Sequence, residues 1–109
     1  MSNEPNTPRD PIPSELVQED ESFAELVQEF IEGLKVRVGE ISRAIETQDY
    51  VALRSLAHQL KGSAGGFGYP TITDQAAQLE RHALGEEIEA IQADLRTLEN
   101  MVARVVLRV

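Results

Sequence analysis

Between Ser22 and Glu46 the apolar residues fall at Phe23, Leu26, Val27, Phe30, Ile31, Leu34, Val38, Ile41 and Ile45. This i, i+3, i+4, i+7 spacing persists for about seven turns and predicts one long amphipathic helix. Thr47-Gln48-Asp49 interrupts it, and Asp49 is a suitable N-cap for a second helix carrying Leu53, Leu56 and Leu60. That helix runs into Gly65-Gly66-Phe67-Gly68, where three glycines predict its end and a turn. Pro70 sits where a first helical turn tolerates proline, and Ile72, Ala76, Leu79 and Ala83 form the stripe of a third helix ending near Gly85. Ile88, Ile91, Leu95, Leu98, Val102 and Val105 describe a last long helix from about Glu86. Ser14 is placed to cap a short helix reaching about Asp20. The tail Val105–Val109 loses the rhythm and receives no assignment.

Four amphipathic helices joined by short loops predict an all-α fold. The expected form is an antiparallel up-down four-helix bundle with a short additional N-terminal helix. Residues 1–13 hold four of the five prolines and no periodicity, so they are expected to form a disordered Pro-rich tail, leaving 14–109 as the helical domain.

The chain is 109 residues long, one domain by length, with 41% hydrophobic but only 5% aromatic residues, which predicts an aliphatic core. Its net charge of −9 argues against nucleic acid and against an anionic membrane surface. The absence of cysteine removes disulfides, thiolate metal sites and cysteine nucleophiles together. No apolar run approaches the length of a membrane span and no signal-like segment opens the chain, so a cytoplasmic protein is expected.

The chemistry concentrates on the second helix. At about 100° per residue, Leu56, Leu60, Ala64 and Phe67 cluster within roughly 40° of one direction, while His58, Gly62 and Gly65 lie on the opposite face with Lys61 on the shoulder. Glycine costs about 1 kcal/mol relative to alanine inside a helix, so a bare patch beside an exposed imidazole calls for a reason. Access for another macromolecule to His58 supplies one. A neutral imidazole carries a nucleophilic lone pair near neutral pH, and the Lys61 ammonium one turn later suits an anionic reaction partner.

The run His58-Gln59-Leu60-Lys61-Gly62-Ser63-Ala64-Gly65, continuing through Gly68 to Ala76-Ala77-Gln78-Leu79-Glu80, resembles the signature of histidine-containing phosphotransfer (HPt) domains. The likeness is plausible over about residues 14–106 and specific only in the centre. It implies a phosphorelay protein that accepts a phosphoryl group from a receiver-domain aspartate onto His58 and passes it to another receiver. Lys61 would then assist electrostatically. The chain would bind no cofactor of its own, and the partner receiver would supply Mg²⁺. Without a Gly-rich nucleotide loop, no autonomous ATP-dependent kinase activity is expected. The implied partners are response-regulator receivers and a hybrid histidine kinase, met by a monomer. The alternative is a non-catalytic helical docking module that binds a receiver or kinase without transfer.

Where the family often places a polar residue such as Gln on the following helix, the matching position here is Glu80. A carboxylate there would repel a phosphoryl group, so Glu80 is expected either to orient the unreactive ring nitrogen or simply to be solvated, and Gln78 is the nearby substitute. Gly62 and Gly65 are expected to give partner access. Arg54 and the far-face aliphatic Val51 are expected to take part in docking with Glu80. His82 is expected to be a surface or boundary residue, apart from the His58 surface.

Overall fold

The computed structural model describes residues 9–109. Its helices are α1 (Glu15–Glu19), α2 (Ala24–Glu46), α3 (Tyr50–Gly66), α4 (Pro70–Leu84) and α5 (Ile88–Arg104), with a 3-10 turn at Glu21–Phe23 leading into α2. The starts follow local chemistry. Ser14 Oγ accepts the Val17 amide at 3.2 Å and Asp49 Oδ1 accepts that of Ala52 at 3.1 Å, each satisfying a donor the first turn leaves unpaired. Pro70 occupies the first turn of α4.

Helix α2 packs on α3 and α5, and α4 packs on the same two helices, closing a ring of four. Three-residue connections at 47–49, 67–69 and 85–87 force consecutive helices to run antiparallel, giving the expected up-down bundle. The core is mainly aliphatic, including Val27, Leu34, Ile41, Leu53, Leu60, Ile72, Leu79, Ile91 and Leu98, each at most 1% exposed. Phe30 nevertheless stacks on Phe67 and Tyr69 at centroid separations of 4.9 and 5.9 Å, so scarce aromatics are concentrated at one end. Ala57 and Ala64 of α3 and Ala76 and Ala83 of α4 are also buried. Small contact residues favour the short end of the usual 8–10 Å helix spacing, bringing polar side chains beside the seam within reach of each other.

The N-terminal segment differs from the expected loose tail. Residues 1–8 lie outside the described residues, but 10–13 are held by the C-terminus. Ile12 donates its amide to Arg104 O at 2.8 Å and accepts that of Val106 at 2.9 Å, forming a parallel bridge with Val105. Ile12, Val105 and Leu107 pack against the core, which places the tail that periodicity left unassigned. Backbone pairing accounts for the position of both segments, because neither needs a helical or alternating pattern to be held. Tyr69 adds a hydrogen bond from its hydroxyl to Val106 O at 2.8 Å, and burial pushes its phenol pKa up to about 12.

The clasp reaches the end of α3. Ser14, fully buried, donates its hydroxyl to Phe67 O at 2.7 Å, and the Glu15 amide bonds Gly68 O at 2.8 Å. Gly68 adopts φ +92°, and a Cβ there would stand 2.4 Å from the Leu16 nitrogen. Both backbone conformation and space therefore require glycine at this turn.

Candidate functional site

Helix α3 buries Leu53, Ala57, Leu60 and Ala64, which turns His58 outward on the side facing α4. The His58 side chain is 67% exposed, and its Nδ1 lies 3.1 Å from Glu80 Oε2. The other oxygen of the same carboxylate, Oε1, accepts a hydrogen bond from Lys61 Nζ at 2.8 Å. Glu80 thus spans two residues one turn apart on the neighbouring helix. Bonding to Lys61, reinforced by its positive charge and by the contact with His58, holds the Glu80 carboxyl below the usual carboxylate range despite its partial burial. An ionised carboxylate can only accept, so a neutral His58 ring bonded to it through Nδ1 would carry its proton there and leave the Nε2 lone pair free.

Helix α3 contains no acidic residue in a chain of net charge −9; its charged side chains are Arg54 and Lys61. Arg54 and Val51 share the α4-facing outer side of α3 with His58 by helical register, and Val51 is 78% exposed. On α4, Leu84 lies one turn beyond Glu80 and is 64% exposed, an apolar residue the sequence reading passed over. Gly62 is exposed, and a Cβ there would meet nothing within 4 Å.

Three expectations need correction. Gly65 does not face open space in the direction a side chain would take: its Cβ would stand 3.1 Å from Thr73 Oγ1, so it serves the approach of α4. Gln78 is no substitute for Glu80, because its Nε2 donates to Asp94 Oδ1 at 3.1 Å, at the seam with α5. His82 lies apart from His58 as expected, but is more than a plain boundary residue. Its Nδ1 is 2.6 Å from Asp94 Oδ2, and Gln75 Nε2 donates to Asp94 Oδ1 at 2.9 Å. Asp94 is 3% exposed and its carboxylate is the hub of this cluster. The missed signal was positional: Asp94 follows Ile91 by three and precedes Leu98 by four, so it sits on the apolar stripe of α5.

Among the described residues no group of three or more His, Cys, Asp or Glu side chains converges to hold a metal ion, and no helix is long and apolar enough to cross a membrane. The arrangement is therefore one exposed imidazole with a fixed Nδ1 partner, a lysine beside it and bare backbone one turn on. A family model described as the Hpt domain matches residues 25–106, most of the chain. The chain belongs to the Hpt domain family. No curated protein and no solved structure matches it. As an Hpt domain it is a histidine phosphotransfer module of two-component signalling, and Hpt domains work with response-regulator receivers in phosphorelays. Within the matched span, His58, Lys61 and Gly62 lie on α3 and Glu80 on α4.

Proposed function

We propose that His58 is the phosphoacceptor of this Hpt domain, taking a phosphoryl group from a receiver aspartyl phosphate on Nε2 and returning it to another receiver. The observation that carries this reading is the division of labour on one ring: Nδ1 is held by Glu80 at 3.1 Å while the side chain stays 67% exposed. The Nε2 lone pair forms the N–P bond as the P–O bond to the receiver aspartate breaks, and the aspartate departs as a carboxylate with the bonding electrons. No proton need move. The ring retains its Nδ1 proton, acquires positive charge, and meets the Glu80 carboxylate on the side away from phosphorus. Glu80 is in this way an orienting and charge-balancing group. Lys61, already paired with it at 2.8 Å, limits its repulsion of the incoming phosphoryl group. The receiver contributes the aspartate and Mg²⁺; this chain contributes the nucleophile, its orientation and a reachable surface.

Incubation with a phosphorylated receiver is expected to place acid-labile, base-stable label on the wild-type chain and none on His58→Gln. Equal labelling of His58→Gln would refute the assignment. Receiver binding without labelling of the wild type would favour a docking module.

Val51 and Leu84, exposed beside Arg54 on the His58 side, form the apolar part of the proposed receiver contact. Val51→Glu is expected to weaken receiver binding about tenfold, equivalent to ~1.4 kcal/mol, while changing the transfer rate at saturating receiver little. Titration with a receiver in single-turnover labelling checks this, and unchanged affinity removes Val51 from the interface.

A further inference from the structure

Gly65 and Thr73 have no direct part in the transfer step, yet they meet at the α3–α4 seam. Thr73 Oγ1 donates to the backbone carbonyl of Lys61 at 2.9 Å. This carbonyl lies inside α3, where the helical ladder uses one of its two lone pairs, so the threonine occupies the second. The hydroxyl reaches it over Gly65, whose missing Cβ would stand only 3.1 Å from Thr73 Oγ1.

A second tie joins the same helices two turns away on α4. Glu80 follows Thr73 by seven residues, so the two ties leave α4 about 10 Å apart, while their ends on α3, at His58 and the Lys61 carbonyl, are about one turn apart. Lys61 belongs to both, through its carbonyl to Thr73 and through Nζ to Glu80. The buried alanine seam and the 67–69 turn hold the two helices together, and the pair of polar ties narrows the remaining freedom in their offset. The His58–Glu80 contact is already 3.1 Å, and a slide of a few tenths of an ångström weakens it.

We propose that Thr73, admitted by Gly65, is a positioning residue: by anchoring α4 to the Lys61 carbonyl it sets the helix offset at which Glu80 engages His58 and so selects the ring nitrogen left free to react. The proposal rests on the reading of His58 as phosphoacceptor, but its first readout does not need a receiver.

The test uses Thr73→Val, which keeps the shape and removes the donor, and Thr73→Ser, which keeps the donor. Nitrogen chemical shifts of the His58 ring, at about pH 8 where imidazoles are neutral, report the tautomer. Thr73→Val is expected to shift the ring away from the Nδ1–H form and to slow labelling by a phosphorylated receiver several-fold, short of the ~100-fold that a displacement of 1 Å can cost. Thr73→Ser is expected to restore both. Gly65→Ala is the second variant. It crowds the same hydroxyl with a residue that favours helix, so it should shift the tautomer in the same direction with α3 still helical by circular dichroism. A wild-type tautomer in both Thr73→Val and Gly65→Ala overturns the proposal. Failure of the wild-type chain to take label would instead overturn the phosphoacceptor reading, leaving the tautomer comparison to decide the role of Thr73.

Discussion

Glu80→Ala is expected to slow phosphoryl transfer to His58 by about tenfold to a hundredfold, below the ~10²–10³ cost of losing a fully preorganised catalytic donor because His58 is largely solvent-exposed. Two losses add. The imidazole no longer has a carboxylate to hold Nδ1–H, so the tautomer with an occupied Nε2 becomes populated. The positive charge generated on the ring by N–P bond formation also loses its counter-charge. Glu80→Gln separates the two, since its amide oxygen still accepts the Nδ1 proton while the charge is gone; it should fall between alanine and wild type. Single-turnover labelling of the three proteins by one receiver measures the series. Wild-type rates for Glu80→Ala would reduce Glu80 to a surface partner of Lys61. The pH dependence has a definite sign. Because the folded-state carboxyl is held below its ordinary value, the stability contributed by the Glu80 clamp is fully present above the unfolded value and is lost as pH falls through the folded one. Urea denaturation of wild type and Glu80→Gln should therefore differ most near neutrality and converge in acid.

The largest stability effect is expected at Asp94. Its 3%-exposed carboxylate receives Gln75 and Gln78 on one oxygen and contacts His82 on the other. Asp94→Ala removes the hub and strands polar groups at the α4–α5 seam, a loss of about 3 kcal/mol in urea denaturation. Asp94→Asn keeps one oxygen for the two glutamines and can accommodate His82 through the other histidine tautomer, so it should cost less than half as much. A loss within ~0.5 kcal/mol for Asp94→Ala, typical of an exposed surface substitution, would show that the network contributes nothing.

Much of this molecule is legible in its sequence because the helical period is long and local. Asp49, Ser14 and Pro70 act at helix starts where local chemistry places them, and the 3.6-residue stripe alone turns His58 to the surface of α3. What escaped depends on pairs distant in sequence. The Ile12–Val105 bridge joins segments with no pattern to betray it. Gly65 stands on the same outer side of α3 as Gly62, yet only the position of Thr73 distinguishes a glycine that admits a neighbouring helix from one open to solvent. Likewise, a 22-residue spacing marks Glu80 without revealing which ring atom it touches or that Lys61 shares it. Asp94 was readable as an acid on an apolar stripe, although its three partners on α4 were not.

The most direct test of the account is nitrogen-15 NMR of the ring-labelled protein after phosphorylation by a receiver, which shows the nitrogen bonded to phosphorus. Phosphorus–nitrogen coupling at Nε2 of His58, with Nδ1 still protonated, is the expected result. Coupling at Nδ1, or phosphorus on any other residue while His58 remains unmodified, would contradict it.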